Sequence, residues 1–552
     1  MNSHESTRRT AGLRGRQLLS LSPGSVRHGV VGLGVVVAAL VAVLVAVLAL
    51  GTGGHQAAVR NSQPRASPAV AGVQSGQSTL PQAVVRIPAG GATISIPRSF
   101  LGISTEYWTV PVWANHLSLL GNVLSSLTPD GPMVLRIGGS SADQTRWAPS
   151  KELPEWVFEI TPSWLKQVRR IVNRFGVRVI LDLNLVTATP QIAVRWARAA
   201  EAALPTESIV GFEIGNEADI YNPASWRKTT AGGRGSTPLP KRMTASSYAK
   251  SFRAYAKALA RVDRGVPLFG PALSDPATNV NWISQLLAGA HPGLRAITVH
   301  RYPLSACSHP GSKTFPTIAR VLSENATAGM AKTIEGAVRT AKQAGMPVRL
   351  TEINSVTCGG RRGVSNAFAT ALWAPDALFE LLKAGASSAA VHVRANAINM
   401  AFSLTSHGLV AYPLLYGLAL FSRTLGPNPQ LQPLQLTARP SLRLKAWAVR
   451  VSGNTLHVLL IDKSTHAASV SLQIPATGPV TVQELLARSA RATSGMTLDG
   501  QHLGAQGRWE GTPTTKTINP GTGGYHVTVR RMSATLVTAT LPAGALVAKH
   551  RR

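Results

Sequence analysis

The sequence predicts an α/β protein: a (β/α)8 TIM barrel with a C-terminal all-β sandwich domain, preceded by an N-terminal transmembrane helix. Three observations predict it. Between residues 98 and 426 short apolar runs alternate with longer amphipathic stretches, the order of a parallel barrel. From 427 to 552 the apolar residues alternate in short runs bounded by turns, with no long helical pattern, which reads as a sandwich. Residues 29–50 carry no charge at all.

Taken in chain order, residues 1–28 form a basic tail carrying Arg8, Arg9, Arg14, Arg16 and Arg27. The apolar run 29–50 follows, and at about 1.5 Å per residue it reaches roughly 33 Å, enough for a bilayer core. Arginines ahead of it keep the N-terminus cytoplasmic. The run is longer than an ordinary signal core and no A-x-A site closes it, so a retained signal anchor is expected. The bulk of the chain is then extracytoplasmic, or secreted if the segment is cleaved. Residues 51–80, rich in Gly, Ser, Gln, Ala and Pro, read as a flexible linker. Within 81–97, runs 83–87 and 92–96 look like a strand pair around Pro88-Ala89-Gly90-Gly91, placed to join the sandwich.

The barrel strands are expected at 101–104, 133–137, 177–183, 209–214, 268–270, 296–299, 348–351 and 389–392. Helices are expected between them, among others at 161–174, 193–203, 246–262 and 330–344. A doubly wound open sheet is the alternative, but Gly138-Gly139 lacks the rest of a phosphate-loop pattern. In the C-terminal domain, 455–461 and 468–474 are representative strands.

The chain has 552 residues, with Lys+Arg 56 against Asp+Glu 24 and a formal charge of +32. That balance attracts polyanions. No helix-turn-helix, zinc-finger or RNA-binding signature accompanies it, so nucleic acid is not expected. Anionic lipid and acidic polysaccharide fit, as does a background that simply favours arginine, because the excess is spread along the chain. The two cysteines, Cys307 and Cys358, have no ordered histidine spacing and make no zinc motif. No metal or cofactor is expected.

Chemistry is concentrated at strand ends. The run 208–212 leads into Glu213-Ile214-Gly215-Asn216-Glu217, and 347–351 ends in Glu352. In a barrel the reacting groups stand at the C-terminal ends of strands. Glu217 ends the fourth strand and Glu352 the seventh, facing each other across the mouth. Two such carboxylates are the equipment for cleaving a glycosidic bond, and a separation near 5–5.5 Å gives retention where roughly 6.5–9.5 Å gives inversion. Glu213 falls within its strand, so pairing with an arginine such as Arg136 is its expected role.

Further motifs lie in order along the barrel: Gly102-Ile103-Ser104-Thr105-Glu106-Tyr107, Leu135-Arg136-Ile137-Gly138-Gly139-Ser140-Ser141-Ala142-Asp143, Thr351-Glu352-Ile353-Asn354-Ser355, Gly363-Val364-Ser365 and Ala371-Leu372-Trp373-Ala374-Pro375-Asp376. With Glu213 to Glu217, they make residues 100–423 resemble glycoside hydrolase family 79, the β-glucuronidase and heparanase-like enzymes of the clan A retaining barrels. The resemblance implies Glu217 as acid/base and Glu352 as nucleophile. It also implies Asn216 as the residue that binds the sugar 2-hydroxyl and Tyr302 as the tyrosine that holds the nucleophile. Glu106 is similar to the acidic residue gripping sugar hydroxyls, and Asn184 at the third tip is a further polar contact. A loop after the nucleophile, here Gly359-Gly360, helps read the sugar carboxylate through backbone N–H groups. Where some relatives carry tyrosine, this chain has Thr357 next to Cys358.

Cys307 lies past the sixth tip and Cys358 past the seventh, on neighbouring rim loops, so an exported protein would join them in a disulfide. It would close a loop of roughly 50 residues and stabilise by up to about 4 kcal/mol in the chain-entropy model.

The expectation is a retaining exo-β-glucuronidase acting on carbohydrate, including acidic polysaccharide. A barrel glycosidase for a neutral sugar, an endo-acting heparanase-like enzyme and a non-catalytic cell-surface glycan-binding protein remain open alternatives.

Overall fold

The computed structural model describes residues 82–88, 91–128, 132–147, 157–221, 242–261, 265 and 267–545. The expected basic tail, membrane anchor and linker, residues 1–80, lie outside the described residues. Among those described, no helix is long and apolar enough to cross a membrane.

Eight parallel strands close into a barrel. In chain order they are β1 (Leu101–Glu106), β2 (Val134–Gly138), β3 (Arg178–Leu183), β4 (Ile209–Ile214), β5 (Leu268–Leu273), β6 (Leu294–Arg301), β7 (Val348–Ile353) and β8 (Ala386–His392). Each pairs with its sequence neighbour, and β8 returns to β1. The eight expected strands are therefore found.

The barrel interior changes character along its axis. Val134, Ile180, Phe269 and Ala296 form a small apolar cluster separate from the main core. Two residues further along β2 and β3, on the same strand face, stand Arg136 and Asp182, both buried. The closed apolar floor thus carries a charged layer immediately above it, at the C-terminal end where barrel chemistry belongs. Outward residues such as Leu135, Ile137, Leu181 and Phe212 belong to the main core cluster.

The surrounding helices begin where the sequence supplies caps. Thr161 Oγ1 accepts the Trp164 N–H to start Pro162–Phe175, and Gly176 ends that helix in the left-handed region. Thr189 caps Pro190–Ala203 in the same way. Thr244 and Ser247 form a reciprocal capping box at Ala245–Leu259, which satisfies otherwise orphaned N–H groups. The helix expected over 330–344 is instead two pieces, Ala328–Lys332 and Glu335–Gln343.

The β domain has two large sheets and, among the described residues, a separate two-stranded pair, His502–Leu503 with Trp509–Glu510. One large sheet contains Gln435–Ala438, Gln82–Arg86, Ala468–Gln473 and Tyr525–Val529; the other runs from Ile94–Ser95 through Gln430–Gln432, Leu444–Val451, Thr455–Asp462, Ser533–Thr540 and Val480–Leu486 to Thr497–Leu498. The expected pairing of 83–87 with 92–96 does not occur. Gln82–Arg86 is bonded on both edges, to Gln435–Ala438 and to Ala468–Gln473, with Ala83 and Val85 in the sandwich core. Ile94–Ser95 joins the other sheet through Gln430–Gln432.

The sandwich is fastened to the barrel. Phe379, on helix Ala369–Lys383, stacks on Trp447 with ring centroids 5.2 Å apart. Buried Asp376 accepts hydrogen bonds from Lys463 Nζ and Trp447 Nε1.

Candidate active site

Arg136 is the hub of the charged layer. Its side chain is fully buried, and every face of the guanidinium is occupied. Nε donates to Glu213 Oε2 at 2.8 Å, Nη1 to Glu352 Oε2 at 2.9 Å, and Nη2 to Asp182 Oδ2 at 2.8 Å and Asn216 Oδ1 at 2.9 Å. One buried cation thereby orders groups from β3, β4 and β7. The guanidinium is met by acceptors at each nitrogen, while Asp182 Oδ1 is buried without a hydrogen-bond partner, so burial pushes that carboxyl upward and part of the desolvation cost of the network remains. The expected pairing of Glu213 with Arg136 is present.

The space for this hub comes from Gly138-Gly139. A Cβ at Gly138 would fall 2.6 Å from Asp182 Oδ2 and 2.7 Å from the Arg136 guanidinium carbon. At Gly139, where φ is +73°, it would fall 2.7 Å from the Glu106 carboxyl carbon. The glycine pair that does not make a phosphate loop makes room for charged side chains. Glu106 is buried; its Oε2 accepts the Ser141 N–H at 2.8 Å, and its Oε1 lies 3.7 Å from His392 Nε2.

At the end of β4, Gly215 has φ +77° and Glu217 has φ +52°. The second value is uncommon for a residue with a side chain. The Glu217 N–H is held by Ala272 O at 3.0 Å, on β5. This turn presents both Asn216 and Glu217 to the mouth. Because Asn216 Oδ1 accepts from Arg136, its amide nitrogen is left to donate. The Glu217 side chain keeps 21 % of its surface exposed.

His300, at the end of β6, stands behind Glu217. Its Nδ1 is 3.1 Å from Glu217 Oε1, and its Nε2 is 3.1 Å from Thr351 Oγ1. The Thr351 hydroxyl donates to Glu213 Oε1 at 2.7 Å, so it accepts from His300 and Nε2 must carry a proton. The Glu217–His300 contact then holds one shared proton, either on the carboxyl or on Nδ1. Burial raises the Glu217 carboxyl above its ordinary range; the His300 contact and charge lower it in part, and the nearby Glu352 charge raises it again.

Glu352 has the opposite setting. Its Oε1 accepts from Tyr302 Oη at 2.7 Å and its Oε2 from Arg136, with His392 Nδ1 3.5 Å away. Burial alone would raise this carboxyl. The charges of His392, His300 and Arg136 and the Tyr302 hydrogen bond outweigh burial and hold it at about 2. One oxygen each of Glu217 and Glu352 lies within 4.8 Å of the other. Two close carboxyls are thus pushed apart, one toward protonated and one toward ionised, the pattern of an acid beside a nucleophile.

A ring nitrogen of His300 completes a set with those two oxygens, all mutually within 4.8 Å. That spacing would admit a cation, but all three groups already have partners here and the Arg136 charge sits directly on Glu352.

The remaining expected residues take other places. Asn184 is buried, and its amide is fully committed within the protein, to its own loop and to the segment after β2. Nδ2 donates to Thr145 O and Thr187 Oγ1, and Oδ1 accepts from the N–H groups of Val186 and Thr187. No donor is left for a sugar, because a short amide at a strand end is readily captured by local backbone. In the rim loop the Gly360 N–H donates to Thr357 O at 3.2 Å, while the Gly359 N–H has no partner among the described residues. The disulfide Cys307–Cys358 is formed, with Cα atoms 5.9 Å apart. It stands beside the short parallel pairing of Leu304–Ser305 with Val356–Thr357.

His300, His392, Asp182 and Thr351 belong to the site, and the sequence motifs above give none of them a role. Each had a readable signal: a polar residue close to the C-terminal end of an otherwise apolar barrel run.

The sequence matches no protein-family model and no curated protein. Solved structures do match in fold. A 4-O-α-L-rhamnosyl-β-D-glucuronidase from Fusarium oxysporum 12S aligns with TM-score 0.64 at 19 % identity, over 82 % of this chain and 100 % of that one. The GH51 arabinofuranosidase of Xanthomonas axonopodis pv. citri aligns with TM-score 0.59 at 16 % identity, over 83 % and 99 %. The GH44 endoglucanase Cel44A of Clostridium thermocellum aligns with TM-score 0.54 at 14 % identity, over 83 % and 100 %. The chain has the fold of these glycosidases.

Proposed function

We propose that the protein is a retaining glycoside hydrolase of exo-β-glucuronidase type. The observation that carries this reading is the pair Glu217 and Glu352, with oxygens within 4.8 Å and acidities driven in opposite directions. That close approach is compatible with double displacement, in which the second carboxylate attacks directly.

In the first step Glu352 attacks the anomeric carbon while Glu217 gives its proton to the departing glycosidic oxygen. A glycosyl ester on Glu352 results. In the second step Glu217, now ionised, takes a proton from water as the water attacks the same carbon, and Glu352 leaves as a carboxylate. Asn216 is aligned by Arg136 to donate to the 2-hydroxyl, a contact that strengthens in the transition state. Tyr302 orients the attacking oxygen.

The fold shared with a rhamnosyl-β-D-glucuronidase supports a uronic acid substrate. A second reading, a neutral sugar, is favoured by the similar fold of several α-L-arabinofuranosidases. We place the active domain outside the cytoplasm, tethered through residues 29–50; the disulfide supports this, since such bonds persist in oxidising compartments. The basic composition suits acidic polysaccharide as the natural substrate.

Aryl β-glucuronide, aryl β-glucoside and aryl α-L-arabinofuranoside, assayed with Glu217→Ala and Glu352→Ala as controls, test the reading. Hydrolysis of the glucuronide that both variants abolish is expected. Hydrolysis of none of the three would return the protein to the class of glycan-binding proteins.

A further inference from the structure

The rim of the site carries a cation that the catalytic pair does not use. Arg394 lies two residues beyond the end of β8, and its backbone is fixed on both sides. Ahead of it, the Val393 N–H donates to Ser104 O at 2.8 Å, and Thr105 Oγ1 donates to Val393 O at 2.6 Å. Behind it, the Ala395 N–H donates to Thr109 Oγ1 at 3.3 Å. The segment is then strapped to the loop after β7: the Ile398 N–H donates to Gly359 O at 2.7 Å, and Asn399 Nδ2 to Val356 O at 2.7 Å. Asn354 Nδ2 closes the strap by donating to Asn399 O at 2.8 Å.

This strap sets the Arg394 side chain against Gly359. Its Nη2 lies 3.0 Å from where a Gly359 Cβ would be. A side chain there would crowd the guanidinium, and φ +75° also favours glycine at that position. The charge reaches the Tyr302 hydroxyl, the group that donates to Glu352. Arg394 is half-buried, yet among the described residues it has no carboxylate and no hydrogen-bond partner. Arg136, by contrast, is satisfied on every side. A partly desolvated guanidinium at the mouth of a site, with no carboxylate to meet it among the described residues, is suited to receive an anion from the ligand. Its planar fork matches a carboxylate in two hydrogen bonds. The unbonded N–H of Gly359 stands beside it as a further donor.

We propose that Arg394, with the Gly359 N–H, binds the carboxylate of a uronic acid sugar held against Glu352, and so sets the preference for uronides over neutral glycosides. This rests on the glycoside hydrolase reading above. It shifts recognition away from the two loop glycines alone, because the Gly360 N–H is spent on the turn.

The test compares wild type, Arg394→Ala and Arg394→Gln on aryl β-glucuronide and on aryl β-glucoside, which differ only in carboxylate against hydroxymethyl. Loss of a charge-assisted contact is expected to lower kcat/KM for the glucuronide by about 10- to 100-fold. Hydrolysis of the glucoside should stay within about 3-fold of wild type. Equal losses on both substrates, or no loss on the glucuronide, would overturn the assignment while leaving the hydrolase reading intact, as would a wild type that cleaves only the neutral glycoside. Titration with sodium D-glucuronate gives a readout independent of turnover. Binding by wild type that falls at least 10-fold in Arg394→Ala, in a variant of unchanged melting temperature, supports the assignment even if no glycoside is hydrolysed. Equal or absent binding in both proteins sinks it.

Discussion

Replacing Tyr302 by phenylalanine removes one hydroxyl and little else, and it acts on the group whose ionisation the account most depends on. Among the described residues Glu352 has two direct hydrogen-bond donors, Tyr302 Oη at 2.7 Å and Arg136 Nη1 at 2.9 Å. A hydrogen bond to a charged group is worth about 1.5–3 kcal/mol. One pKa unit corresponds to about 1.4 kcal/mol, so losing the tyrosine bond moves Glu352 upward from about 2 by roughly 1–2 units. The acid limb of kcat/KM follows it toward neutral pH. On the plateau Glu352 is still ionised but less well oriented, and kcat falls by about 10-fold or more. Initial rates on the best aryl glycoside, taken across pH, measure both effects. Thermal unfolding across the same range adds a check. A carboxyl depressed from 4.5 to about 2 contributes stability that is present above the unfolded value and is lost as pH falls through the folded one, roughly 3 kcal/mol here. In Tyr302→Phe that acid-labile contribution shrinks. An acid limb that does not move, with kcat within twofold of wild type, would refute the reasoning.

Two other perturbations separate the roles of neighbouring groups. His300→Gln removes a charge that lowers both carboxyls, so Glu217 holds its proton to higher pH, Glu352 needs higher pH to ionise, and the whole pH–rate profile shifts to the alkaline side; a profile fixed in place would show that His300 does not set it. Gly139→Ala forces a Cβ into the Glu106 carboxyl at a φ of +73°. It should cost on the order of 1–3 kcal/mol in urea unfolding together with activity, where Gly176→Ala, with open space at a similar φ, costs only the backbone strain.

Much of this site is visible in the sequence because barrel geometry converts strand ends into a mouth. The apolar run before Asn216-Glu217 and the one before Glu352 locate β4 and β7, whereas Tyr302, past the end of β6, is picked out only by the family resemblance. What stays hidden are relations between strands. Arg136 shows in sequence only as a basic residue inside an apolar run, which flags it as buried and paired. Nothing local reveals that it touches Asp182, Glu213, Asn216 and Glu352 together. Gly138-Gly139 looks like a failed phosphate loop until the side chains it makes room for are seen. Asn184 differs for a physical reason: at a strand tip an amide can serve a ligand or its surroundings, and here two backbone N–H groups, the Thr187 hydroxyl and the Thr145 carbonyl take all four of its hydrogen bonds. The first β strands mislead similarly, since alternation identifies Gln82–Arg86 and Ile94–Ser95 as strands without naming the edges they bind.

The central claim is that Glu352 forms a covalent bond to sugar while Glu217 handles the proton. Incubation with the 2-deoxy-2-fluoro glycosyl fluoride of the sugar that wild type hydrolyses, followed by intact-mass and peptide analysis, tests it most directly. The account predicts time-dependent inactivation, a mass increase of one fluoroglycosyl group, and its attachment to the peptide at Glu352, with no labelling of Glu352→Gln. Turnover of that probe with no covalent species, or a label carried by Glu217, would contradict it.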